Sequence, residues 1–288
     1  MSPVALGLLV LAAAMHAGWN LLVKRAGEKQ IFTWWAMVFG SFCFAPLLLL
    51  GQPLPLRVWP YVLSSAAVEA LYYLALTCAY TIGDFSLVYP LARGSAPAFL
   101  LLWTTLFLGE HPRPPGYLGL ALLILGLLVV GSSTLWAQRH KTALRMVSIK
   151  AILIALAVAC CISIYTTIDG AAVQFAPSTP YTVCVIGLTA IFTAPGVLLY
   201  YSKRSVVAEL RTNWLPILVV GIATLLTYLL VLHAYTLSQV NYAGSVREIS
   251  VVFAALAGWL WLGEKFGPLR ILGSAIIFTG ILIIAVAG

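Results

Sequence analysis

Four charged side chains sit where charge is expensive. Glu69, Arg93, Arg247 and Glu248 all lie inside strongly apolar stretches of the 288-residue chain. An ionised group at the centre of a membrane span costs roughly 2.5–3.5 kcal/mol on insertion scales, so each of the four must face a protein interior or a water-filled cavity. With two of each sign, a paired interior is expected, the arginines opposite Glu69 and Glu248. Arg247 and Glu248 are neighbours whose side chains leave a helix about 100° apart, so each is expected to pair across helices rather than with the other. Chemically, two buried arginines can attract a carboxylate, phosphonate or phosphate, and a buried glutamate can carry a proton.

Aromatic residues accompany these charges at helical spacing. Tyr72, Tyr73, Leu76 and Tyr80 share a stripe with Glu69, while Tyr89, Trp103 and Phe107 share one with Arg93. Near the start, His16, Trp19, Asn20 and Lys24 fall on one helix face, and the Asn20 amide needs a partner in an apolar setting. Tyr165 lies in a polar run with Ser163, Thr166 and Thr167, and this segment is expected to end at Asp169-Gly170. Tyr73 and Tyr80 match Tyr228 and Tyr235, 155 positions later; Ser250 follows Arg247 on a face of small residues. Such tyrosines cover an apolar solute with their rings and satisfy its polar groups with their hydroxyls. The expected cavity residues are therefore Trp19, Asn20, Glu69, Tyr72, Tyr73, Tyr80, Tyr89, Arg93, Trp103, Tyr165, Tyr228, Tyr235, Arg247, Glu248 and Ser250.

Catalysis has no comparable set of parts. There is no G-x-S-x-G, H-E-x-x-H or phosphate-binding loop, so an enzyme is not expected, nor is a cofactor. Five cysteines lie inside apolar spans without metal-ligand spacing, which points to packing rather than a disulfide framework or a metal site. The net charge of +8 would suit nucleic acid, but its placement argues against that partner.

The elements that position these residues follow from composition. With 62% hydrophobic and 8% charged residues, the chain is an all-α polytopic membrane protein, its partners the lipid bilayer and a small-molecule solute. Ten spans are expected, near 3–24, 31–51, 58–82, 85–108, 115–135, 148–169, 178–201, 214–237, 241–262 and 268–287. The chain is also duplicated. Arg93, Gly109, Glu110, Gly119 and Gly126 match Arg247, Gly263, Glu264, Gly273 and Gly280, each pair 154 positions apart. Residues 1–137 form one five-helix repeat, 138–147 a linker and 148–288 the second repeat. Five is odd, so the copies are inserted in opposite senses, the arrangement of secondary transporters with a midplane site. Pro90 is expected to kink or break the fourth span beside Arg93, with Gly244 as its counterpart in the ninth. Gly109 and Gly263 read as left-handed helix ends, followed by structural rather than catalytic acids. Nothing requires a second copy, and a functional monomer is expected.

The ten spans, the duplication, the Gly-Glu ends of the fourth and ninth helices and the opening MHAGWNLLVKR together resemble the EamA branch of the drug/metabolite transporter superfamily. The resemblance covers the whole chain. It implies two inverted five-helix repeats around a central cavity lined by helices one, three, four, six, eight and nine. It also implies solute movement, usually export of amino acids or related metabolites across the bacterial inner membrane. The aromatic lining is similar to that of the YddG-like amino-acid exporters, with anionic metabolites such as phosphonates the alternative cargo. A channel or structural membrane protein is the alternative of a different class.

Charge also sets an orientation. The loops after the first, fifth, seventh and ninth spans hold twelve Lys and Arg residues against two, Arg57 and Arg113, in the opposite set. The positive-inside rule then puts both termini outside the cytoplasm. In a background lacking native cysteines, a cysteine placed between 138 and 147 should resist a membrane-impermeant thiol reagent in intact cells, and one at Pro114 should react. The reverse labelling pattern overturns this orientation.

Overall fold

The computed structural model describes residues 1–50, 52–82, 85–139, 149–253, 256, 260 and 268–287, with the backbone alone at 24, 77–82, 85–91, 131–139, 151 and 270. It is helical throughout the described residues. The ten long elements are α1 (Pro3–Arg25), α2 (Lys29–Phe44), α3 (Trp59–Ile82), α4 (Phe85–Leu108), α5 (Pro114–Arg139), α6 (Ile149–Ala172), α7 (Ser178–Tyr200), α8 (Lys203–Leu237), α9 from Val240 and α10 (Pro268–Ala287). Helices are the expected answer where backbone N–H and C=O groups must be satisfied without water. Five are long and apolar enough to cross a bilayer outright, and Ala92–Leu108, Pro114–Val130 and Ile271–Ala287 are shorter apolar helices.

Two sequence expectations about interruptions change. α4 is helical through Pro90 and Pro97, so of the kink or break expected beside Arg93 the break is absent. In the second half the irregularity falls not at Gly244 but just after it. There α9 tightens from Val240–Val246 into a 3-10 turn at Arg247–Ile249 before helical residues resume at Ser250. A second irregularity is the bend in α8 at Asn213, whose φ and ψ of −119° and 22° separate a polar leading segment from the apolar span that follows.

Glycine contacts make the inverted duplication visible in three dimensions. A Cβ on Gly119 would meet the Gly280 carbonyl oxygen at 2.8 Å, and one on Gly126 would meet that of Gly273 at 2.7 Å. Each glycine of α5 thus touches the repeat counterpart of the other one. That crossed pairing requires α5 and α10 to run antiparallel about a two-fold axis. Close backbone approach through small residues is how helices gain van der Waals contact in lipid, where no hydrophobic force draws them together. Gly40 of α2 and Gly221 of α8 make a similar approach, a Cβ on Gly40 lying 2.6 Å from the Gly221 carbonyl.

The Gly-Glu end of α4 serves the other half of the molecule. Gly109 adopts a left-handed φ of 64°, as its position after the helix suggests. Glu110 then accepts hydrogen bonds from the backbone N–H groups of Val240 (2.6 Å) and Asn241 (2.9 Å). It caps the first turn of α9, so the structural role expected of this acid holds. Burial pushes its carboxyl above the usual range, against the pull of those two donors. The matching Gly263-Glu264 lies outside the described residues.

If the α5–α10 seam depends on missing side chains, Gly126→Ala or Gly280→Ala should cost about 1–3 kcal/mol of stability through overpacking. Gly7→Ala is the control, because nothing lies within 4 Å of a Cβ there. Thermal unfolding in detergent should show lower Tm for the first two and no loss for the third.

Candidate functional site

The charged residues gather in two groups on facing helices. In the first, Arg93 of α4 donates from one terminal nitrogen to both carboxylate oxygens of Glu248, each at 3.2 Å. This pair joins the two halves, with the Glu248 side chain 2% exposed. Arg247 reaches the same carboxylate at 3.7 Å. The expectation that Arg247 and Glu248 would not meet is therefore wrong. The reason is length: their Cβ atoms diverge, but a guanidinium on a long flexible stem can swing its tip back to an adjacent side chain. His16 of α1 lies within electrostatic reach of both arginines.

The second group corrects the expected partner of Glu69. This carboxylate makes no ion pair among the described residues. It lies 2.9 Å from the hydroxyl of Thr189 on α7, whose single proton also faces the Val185 carbonyl at 2.9 Å. Beside it is Asp169, which the sequence reading placed at the end of the sixth span. In the structure α6 continues to Ala172, and Asp169 is 1% exposed. Asp169 accepts from Ser65 (2.5 Å), Tyr181 (2.8 Å) and Tyr228. Three hydroxyls from α3, α7 and α8 thus surround one carboxylate of α6. Buried charge demands such donors, since an unpaired carboxylate at this depth is not tolerated. Arg247 is near enough to act electrostatically on both Glu69 and Asp169.

Tyrosines connect the groups. Tyr72 packs edge-on against Tyr73 at 5.1 Å and against Tyr165 of α6 at 6.2 Å between ring centroids. Tyr165 and Tyr235 both lie within electrostatic reach of Arg247. Tyr235 is 1% exposed and Ser250 5%. Trp103 donates from its indole to the Ser163 hydroxyl at 3.0 Å, tying α4 to α6. Asn20 donates to the His16 carbonyl of its own helix at 2.7 Å, so α1 satisfies its amide without crossing to a neighbour. Trp19 packs edge-on against His16 at 4.6 Å. The side chains of Tyr80 and Tyr89 lie outside the described residues.

Between α4, α6 and α9 a crevice of about 10 Å³, room for little more than one water, is lined by Ala96, Pro97, Leu100, Ile162, Ser163, Thr166, Gly244, Arg247 and Glu248. Among the described residues no group of three or more His, Cys, Asp or Glu side chains could hold a metal ion. Sequence reasoning missed Asp169, Thr189, Ser65 and Tyr181. Asp169 had a visible signal, because apolar residues Ala171–Val173 follow it and carry the span onward. The three hydroxyl residues had none, since Ser and Thr in apolar helices commonly bond their own backbone.

The helices of the described residues, an inverted repeat and a buried polar centre shared by both halves define a membrane transporter of the duplicated type. The comparisons with known proteins name the class more narrowly. The EamA-like transporter family model matches residues 4–132 and 149–286, one copy to each half, and the chain belongs to that family. It is 26% identical over 283 residues to the Pseudopaline exporter CntI of Pseudomonas aeruginosa (strain UCBPP-PA14), covering 94% of this chain and 92% of that one. A solved crystal structure shares the fold at a TM-score of 0.80 and 16% identity, over 99% of each chain.

The Arg93–Glu248 pair carries a direct test. Removing one partner of a buried pair typically costs about 3–5 kcal/mol, because the other charge is left uncompensated. Arg93→Ala and Glu248→Ala should each reduce folded yield and Tm sharply, and the double variant should recover part of both. Additive losses would mean that the two side chains do not stabilise each other.

Proposed function

We propose that this protein exports amino acids, with aromatic and hydrophobic ones favoured, across the bacterial inner membrane by alternating access. The observation that carries the reading is the division of the buried centre into an arginine group and a carboxyl group. Arg93 and Arg247 share the single carboxylate of Glu248, while Glu69 and Asp169 are held by hydroxyls and, among the described residues, touch no arginine. Tyr72, Tyr73 and Tyr165 pack beside them. A zwitterion offers both charges at once, and its side chain suits the aromatic surface. Kinship to a pseudopaline exporter supports outward movement of a small organic solute.

The crevice has a volume of about 10 Å³, far below the roughly 300–1,000 Å³ of typical ligand pockets. A whole amino acid therefore needs a different arrangement of the halves to enter, as an alternating carrier requires and a standing channel does not. Anionic solutes such as phosphonates are the second reading, favoured by the arginine group alone.

Purified protein in proteoliposomes tests these readings. Labelled phenylalanine should enter with saturable kinetics, and unlabelled phenylalanine or leucine preloaded inside should accelerate it. Flux that is linear in concentration and indifferent to preloading would indicate a channel, and acceleration by methylphosphonate alone would indicate an anion carrier. Tyr228→Phe should shift the apparent KM by several-fold, because it removes one of the three donors that hold Asp169.

A further inference from the structure

The two arginines are not equivalent. Arg93 makes two hydrogen bonds to Glu248, whereas the contact of Arg247 to that residue, at 3.7 Å, exceeds hydrogen-bond length. Around Arg247 the protein has also left hydroxyls unused. Thr166 Oγ1 and Tyr235 OH are both buried without a hydrogen-bond partner, in residues that are each only 1% exposed. They approach one another at Gly244, where a Cβ would stand 3.3 Å from the Thr166 methyl and 3.6 Å from the Tyr235 hydroxyl. Buried hydroxyls lacking partners cost about 1–3 kcal/mol each, so a native structure rarely retains two in one place without a use.

We infer that Arg247, Thr166 and Tyr235 form an oxyanion-binding subsite, which receives the carboxylate or phosphonate end of the solute in the crevice beside Gly244. The reading rests on the carrier function proposed above and specifies which end of the solute docks where. A guanidinium and two hydroxyls are all donors, the complement of a carboxylate with two acceptor oxygens. Charge agrees. Arg93, Arg247 and Glu248 sum to one positive charge, which a monoanion brings to zero. Glu248 also lines the crevice, but its two oxygens already face Arg93. The crevice has room for little more than one water, so it takes an end group only once α4, α6 and α9 part, with the remainder of the solute left to the tyrosines. Gly244 lets Leu100 of α4 pack closely against α9, since a Cβ there would sit 2.5 Å from a Leu100 methyl.

Binding to purified protein in detergent, read by thermal shift and by calorimetry, separates this inference from the function it extends. The probes are phenylalanine against phenylalaninamide, leucine against leucinamide, and acetate and methylphosphonate as bare oxyanions. Wild-type protein should bind each acid about tenfold or more tightly than its amide, and Arg247→Gln should erase that difference. The Thr166→Val, Tyr235→Phe double variant should weaken the acids in the same way while its ligand-free Tm stays level or rises. A merely structural role predicts a fall in that Tm. The double variant also secures the test should Arg247→Gln fold poorly. Equal affinity for acid and amide, with no response to either small anion, overturns the subsite. Small anions that stabilise through Arg247 while no amino acid binds would uphold the subsite and overturn the amino-acid reading. Preference for methylphosphonate over acetate would uphold it with phosphonate as the anion.

Discussion

A guanidinium in hydrocarbon must be answered by a carboxylate, and in this protein the answer comes from the other half of the chain. Arg93 belongs to the first repeat and Glu248 to the second. Arg93 takes its carboxylate from the second repeat, so the pair holds the repeats in register as well as stabilising them. The helices around the centre follow from that requirement. α4 and α9 must meet at mid-depth, α6 packs against α4 through the Trp103–Ser163 bond, and Glu110 secures the start of α9.

The second polar group solves a different problem with different material. Glu69 and Asp169 are held by hydroxyls rather than by cations. Ser65, Tyr181, Tyr228 and Thr189 come from α3, α7 and α8, so four helices converge on two carboxylates. Hydroxyls stabilise an anion less completely than a guanidinium does. The group is therefore structurally defined by hydroxyl donors without a contacting cation among the described residues. Arg247 leaves a matching deficit of acceptors on the opposite side.

The architecture was legible because membranes allow few solutions. Ten apolar runs, an odd number per repeat and a 154-residue offset in Arg93, Gly109, Gly119 and Gly126 suffice for an inverted carrier, and the crossed contacts of Gly119 with Gly280 and Gly126 with Gly273 are its three-dimensional form. The centre was legible only in part. Arg93, Glu69, Arg247 and Glu248 stood out by cost, but partner choice depends on side-chain reach and interhelical geometry, which spacing does not encode. Thus Glu69 was paired with an arginine when its neighbour is Thr189. Asp169 was assigned to a helix end because an Asp-Gly pair resembles a terminus. Pro90 does not break α4, since a proline removes one donor but a helix can continue past it where neighbours satisfy the freed group.

The glycine seam bears on how such a chain could arise. α5 and α10 each present a stripe without side chains, and each needs the other, reversed, to fill it. A half-length ancestor would carry one such stripe and no complement. Its match would be a second copy inserted upside down, which requires a gene product with little preference between the two orientations. Fusion of two copies through a basic linker removes that ambivalence. Once fused, the halves can accumulate charge bias independently, so that each keeps one orientation while the seam between them retains its original symmetry.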